Sequence, residues 1–284
     1  MAIFWLSSYP KSGNTWVRFM IANMLAGPLD STEHLQAIVP DMHEPLTPVQ
    51  RRRWGAMPRQ VTKTHHVYRE GEPYQGRTAG IISVVRNPLD VLASGMNFRL
   101  LTRPGQQRAA EEDAEAARRA YVDSYLRAGG DPAWIAVGFG SWEEHVRSWD
   151  RAAERYRTLR LRYEDILADP LAAAGSVRGF LGLEMDDAAL AAVVESSSFA
   201  RMREIEQREV SERRPGFFRE RHKTGVASRG VWFTNRGSSG GGRAVLTEEE
   251  VGRAMETFGG LMSELGYADP RGGGDRVSGG PGGG

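Results

Sequence analysis

Two short, mostly apolar runs, Ala2 to Ser7 and Gly80 to Val85, are each closed by turn residues. Runs of that length and character mark strands buried on both faces. Tyr9-Pro10-Lys11-Ser12-Gly13-Asn14 follows the first as a turn, and Thr15 to Leu25 then reads as a helix stopped by Gly27-Pro28. The second run passes through the turn Arg86-Asn87-Pro88 into a helix over Leu89 to Phe98. A third strand is predicted at Thr158 to Tyr163. Strands separated by helices define an α/β fold: a mostly parallel sheet flanked by helices, with ligands at the C-terminal strand ends.

A helical insert, residues 99–140, precedes the third strand. Gln106 to Leu126 is rich in strong helix formers and is broken by Gly129-Gly130-Asp131-Pro132. Ser141 with Glu144, and Thr247 with Glu250, are capping boxes that open two further amphipathic helices. The Gly237 to Gly242 segment and the tail, 270–284, are so rich in glycine that neither is expected to pack. There is no internal repeat, and the expected organisation is one domain over residues 1–269.

Composition narrows the function. The chain has 284 residues, 40% hydrophobic and 26% charged, an ordinary globular mixture. With 37 basic against 36 acidic residues the net charge is +1, which gives no field for nucleic acid, so any anion site is local. The absence of cysteine excludes disulfides, thiolate catalysis and thiolate metal sites. No signal or spanning segment is read, and a cytoplasmic protein with no membrane partner is expected. Oligomeric state is not legible, and a homodimer is compatible with the sequence.

The chemistry gathers at the strand-to-helix turns. Lys11, Ser12, Gly13, Asn14, Thr15 and Trp16 sit where helix amides favour an anion, so the first turn reads as a P-loop-like phosphate cradle. Gly-x-x-x-x-Gly-Lys is absent, because the lysine precedes the glycine, and the loop is expected to work without a metal. Arg86 and Ser94, eight residues apart at the next strand end, suit a second phosphate, and the two sites together suit a nucleotide with two separate phosphate groups. A phosphate-loop nucleotide kinase or NTPase is the alternative reading. His65 and His66 are adjacent, so on a strand only one of them faces a site.

These residues resemble those of sulfotransferases that use 3′-phosphoadenosine-5′-phosphosulfate (PAPS). The stretch from Tyr9 to Trp16 is similar to that family's 5′-phosphosulfate loop, and Val85 to Asp90 running to Ser94 is similar to its 3′-phosphate site. Lys63-Thr64-His65, Arg162-Tyr163-Glu164-Asp165 and Ser197-Ser198-Phe199 follow in family order. The resemblance implies sulfuryl transfer from PAPS to a hydroxyl of a small-molecule acceptor. It implies catalytic roles for Lys11, His65 (general base) and Ser94, and adenine contacts from Tyr163, Ser197 and Phe199. The family's closing Arg-Lys-Gly is replaced; Arg229-Gly230 is the favoured candidate and Phe218-Arg219 the other. Gly140-Ser141-Trp142, Val146 to Trp149 and Met202 to Glu206 are similar to bacterial enzymes that sulfate glycopeptide antibiotics, which implies a secondary-metabolite acceptor.

Overall fold

The computed structural model describes residues 2–71, 73–74, 76–102, 113–222, 232–234 and 239–269. Strand β1 (Ile3–Ser8) leads through residues 9–13 into α1 (Asn14–Ala26). Two short helices, α2 (Leu35–Ile38) and α3 (Pro48–Gly55), precede β2 (Val61–Thr64), and β3 (Thr78–Val85) runs into α4 (Pro88–Thr102). The insert contributes α5 (Ala114–Ala128) and α6 (Pro132–Ala136); α7 (Trp142–Ala153) then leads to β4 (Thr158–Arg162). Helices α8 (Tyr163–Ala168), α9 (Pro170–Leu181), α10 (Asp187–Ser196), α11 (Phe199–Ser211), α12 (Phe217–Arg221) and α13 (Glu248–Glu264) follow.

The four strands form one sheet in the order β2-β1-β3-β4, with every pairing parallel. All four therefore end at the same edge, and each delivers the residue after it to that edge. Because strand side chains alternate, β1 sends Phe4 and Leu6 to a core built with α1, α9 and α10, and Ile3 and Trp5 to the opposite face against Trp149. Leu6 and Ile82 are both 0% exposed, a burial worth roughly 1.5–3 kcal/mol for each side chain. The third core joins Tyr9 and Val85 to the insert helix α5 and to α13.

Both capping boxes form as expected, at Ser141 and Thr247. One expectation is corrected, and one strand was not anticipated. The third predicted strand ends at Arg162, and Tyr163 opens α8. Strand β2, four residues alternating with threonine, has no apolar run to announce it. Of the helix expected over Gln106 to Leu126, the part from Ala114 forms, capped by Asp113 and running to Ala128, while residues 103–112 lie outside the described residues. The tail from residue 270 also lies outside them.

Candidate active site

A cavity of about 1050 Å³ opens at the C-terminal edge of the sheet. Its floor begins with the loop after β1. Lys11 has a left-handed backbone, φ 69°, which costs a non-glycine residue on the order of 1–3 kcal/mol and is usually kept at functional sites. The Lys11 carbonyl accepts from Arg86 Nη1 at 3.1 Å, so the loop is fastened to the end of β3. Gly13, φ 96°, is the N-cap of α1 and lies so close to Tyr163 that a Cβ would stand 2.5 Å from its ring. The Ser12 hydroxyl beneath the loop is buried and has no hydrogen-bond partner among the described residues. A loop with an orphaned donor, a helix N-terminus without a side-chain cap and a lysine at the wall fits a bound phosphate.

Beside the loop, Arg86 lies over the Tyr163 ring at 4.1 Å, with Nη2 3.9 Å from Asp90. Ser94, two turns along α4, stands on the same wall. Trp16 packs against Phe199 at 4.6 Å and Tyr163 at 5.9 Å, which makes an aromatic wall at the far end of the loop. Lys11 Nζ lies 4.4 Å from the Phe233 ring centre and 4.9 Å from that of Phe98.

His65, one residue past β2, lines the cavity, and His66 does not. His65 Nδ1 is 2.7 Å from the Ser8 carbonyl. A carbonyl only accepts, so Nδ1 carries the proton and Nε2 keeps its lone pair. Burial, reinforced by the Lys63 ammonium, holds the His65 pKa well below the ordinary imidazole value, which keeps the ring neutral; Asp41 and the Ser8 carbonyl oppose this. Phe139 faces the rings of His43 at 5.1 Å and His65 at 5.6 Å.

Two further segments close over this edge. Asp90, in the first turn of α4, accepts from Gly240 N at 2.9 Å and Gly242 N at 2.6 Å. A Cβ on Gly242 would lie 2.2 Å from the Leu89 carbonyl carbon, so only glycine fits. The expectation that residues 237–242 do not pack is therefore corrected for 239–242; 237 and 238 lie outside the described residues. Glu206 accepts from Phe233 N at 2.5 Å, from Thr234 N at 2.9 Å and from the Thr234 hydroxyl, and pairs with His222 at 2.5 Å, which seats Phe233 above Lys11.

Of the residues read from the sequence, Lys11, Gly13, Asn14, Thr15, Trp16, His65, Arg86, Ser94, Tyr163 and Phe199 line the one cavity. Ser12 lies under the loop and not on the wall. Ser197 is a correction: its hydroxyl donates to Val193 O at 2.7 Å and accepts from Asn23 Nδ2 at 2.9 Å, so it supports the helices behind the wall. Arg229 and Gly230 lie outside the described residues. Phe218, beside the other candidate, is wholly buried in the core. Asp41, Asp90, Gly240, Gly242 and Glu206 were not assigned roles from the sequence. The run Gly240 to Gly242 was the available signal for the third and fourth of these.

The fold and this edge define an α/β protein with an anion-compatible loop at the ends of its parallel strands. The sequence model of the sulfotransferase domain matches residues 3–266, and the chain belongs to that family. Sulfotransferase 1C2 of Oryctolagus cuniculus is 28% identical over 207 residues, which is 70% of this chain and 65% of that protein. The chain thus matches somewhat less than two thirds of that relative's length. Sulfotransferase 2A1 of Rattus norvegicus is 33% identical over 126 residues, 44% of this chain and 39% of that protein. Among solved structures, a mouse sulfotransferase (SULT7A1) complexed with PAP shares the fold with a TM-score of 0.64 at 20% identity, covering 94% of this chain and 86% of that one. A retinol dehydratase in complex with retinol and PAP gives 0.60 at 16% identity, covering 94% and 83%.

Proposed function

We propose that this protein transfers a sulfuryl group from PAPS to a hydroxyl of a small-molecule acceptor. The observation that carries the reading is that His65, with Nε2 unprotonated, shares one cavity with the Lys11 loop. The acceptor oxygen attacks sulfur as the bond from sulfur to the 5′-phosphate oxygen breaks, giving a sulfate ester and PAP. His65 Nε2 takes the acceptor proton, a transfer worth typically about 10² to 10⁴ in rate. Lys11 stabilises charge on the departing phosphate, with the first-turn amides of α1 beside it. Arg86 and Ser94 hold the 3′-phosphate, Trp16, Tyr163 and Phe199 the adenine, and Asn14 and Thr15 the 5′ side. The reaction needs no metal. Arg229 and Gly230 remain the proposed closure of the 3′-phosphate site.

A secondary metabolite is the proposed acceptor, in a cytoplasmic enzyme. The residues that carry the likeness to glycopeptide sulfotransferases are mainly packing residues: Trp142 is 0%, Trp149 1% and Ile205 0% exposed. That likeness therefore bears on the fold. The acceptor proposal is supported by the cavity volume and by its aromatic wall of Phe98, Trp134 and Phe139.

The test is a magnesium-free assay with labelled PAPS and a panel of phenols, sugars and hydroxylated metabolites, alongside calorimetric titration with PAP. Transfer from PAPS is expected, and ATP is expected to fail as donor. His65→Ala should lose at least a hundredfold in turnover while PAP still binds. Transfer from ATP, or full turnover by that variant, would overturn the reading.

A further inference from the structure

Residues 40–42 run beside β2. Lys63 N donates to Pro40 O at 2.8 Å, Met42 N donates to Lys63 O at 3.0 Å, and Asp41 pairs with Lys63 in a single parallel bridge. Asp41 N also donates to Gln36 Oε1 at 2.9 Å, and Gln36 is held in turn by Arg18 Nη2 at 2.8 Å. The backbone of Asp41 is thus fixed before its side chain does anything. That side chain is an ion pair with the Lys63 ammonium, the two residues being 4% and 7% exposed.

A buried ion pair is a poor stabiliser, because desolvation of both charges offsets most of their attraction, and an apolar pair would hold a sheet edge as well. This one sits on the wall of the cavity. Lys63 and His65 are two residues apart on extended chain, so they share a face, and both line that wall. We propose that Asp41 is a positioning residue for sulfuryl transfer: it holds the Lys63 ammonium on the His65 side of the cavity and balances its charge there, so that the imidazole stays a competent base. The inference rests on the reading of His65 as the base.

The charges around the pair set the sign. Asp41 faces Lys63, His65 and Arg18, with His43 Nε2 3.9 Å away; His65 faces Lys63, Asp41 and, from α7, His145. His66 feels Asp41 and Lys63 as well. Lys63 lowers the basicity of His65 and Asp41 raises it. A unit charge about 6 Å away at an effective dielectric of about 20 moves an ionisation by on the order of one to two pH units.

The test is an NMR titration of the full chain labelled with ¹⁵N-histidine, together with PAP calorimetry and steady-state kinetics with PAPS. Asp41→Asn should lower the His65 midpoint by about one pH unit. Lys63→Met should raise it by a similar amount, and the double variant should fall between the two. Asp41→Glu, which keeps the charge, should stay near the wild type. In Asp41→Asn, kcat should fall about tenfold while PAP affinity stays within about threefold. An unmoved His65 midpoint in Asp41→Asn, or a loss of PAP affinity that parallels the loss of kcat, would overturn the proposal. Should Asp41→Asn not fold, an unmoved midpoint in Lys63→Met overturns it equally. Failure of the wild type to bind PAP would refute the sulfotransferase reading, while the titration still decides the role of Asp41.

Discussion

Gly13 meets three demands at once: it caps α1, it adopts φ 96°, and it leaves the space that the Tyr163 ring fills. Gly13→Ala adds a Cβ 2.5 Å from that ring as well as left-handed strain on the order of 1 kcal/mol or more. Either the loop or Tyr163 must move, and both belong to the proposed donor site. PAP affinity measured by calorimetry is expected to fall at least tenfold. Gly27→Ala is the control: φ is 83° there, but none of the described residues lies within 4 Å of the added carbon, so it should lower the melting temperature and leave PAP affinity unchanged. At this scale, legibility follows locality. The loop residues and Arg86 could be read because strand, turn and helix signals adjoin in the chain. Asp41 could not, because its partner Lys63 lies 22 residues away and only the pairing of the two segments brings them together. The nucleotide contact expected at Ser197 comes from the family resemblance of Ser197-Ser198-Phe199, yet its hydroxyl accepts from Asn23, 174 residues distant.

Among the elements, the glycine run before α13 shows how composition misleads. Glycines lower the cost of many conformations, and so read as a linker, but they also expose amides that a carboxylate can gather. Asp90 gathers two of them, from 150 and 152 residues away, and thereby sets residues 239–242 against the start of α4 beside Arg86. Gly242→Ala would drive a Cβ into the Leu89 carbonyl and lift the run off α4. Asp90→Asn leaves the backbone free to stay but replaces a carboxylate with a weaker acceptor. Both variants are expected to weaken PAP, Gly242→Ala by about tenfold and Asp90→Asn by less, while kcat at saturating PAPS changes little. Equal PAP affinities across the wild type and both variants would remove this run from the donor site. The long elements were legible by contrast. Strands β1 and β3 are apolar on both faces because they are the two inner strands, whereas β2 at the edge needs only four residues and carries no such signature.

Across the whole molecule, the histidines set the response to acid. Burial lowers the pKa of His145 to about 3 and that of His43 to about 4, and it holds His65 well below the ordinary value. In the unfolded chain each titrates near 6.5, so unfolding takes up protons as the pH drops below that value. Their contribution to stability is therefore complete above about pH 6.5 and is lost progressively as the pH falls toward the folded values. Each wholly buried imidazole contributes a slope of about 1.4 kcal/mol per pH unit in that window. His145, 2% exposed and with Nε2 lacking a hydrogen-bond partner among the described residues, contributes in full, while His43, with a side chain 24% exposed, contributes less. Denaturant titrations at pH 8, 7, 6, 5 and 4.5 should give constant stability between 8 and 7, then a decline that steepens toward about two to three protons per molecule. His145→Gln should reduce that slope by one proton, whatever it does to stability at pH 8. Burial holds His65 well below the ordinary imidazole value, so kcat/KM should stay level through pH 6.5 and decline only at lower pH. An acid limb of kcat/KM near pH 6.5 in protein that is still fully folded would show that His65 titrates as an ordinary, solvated imidazole, against the lowered basicity expected beside Lys63.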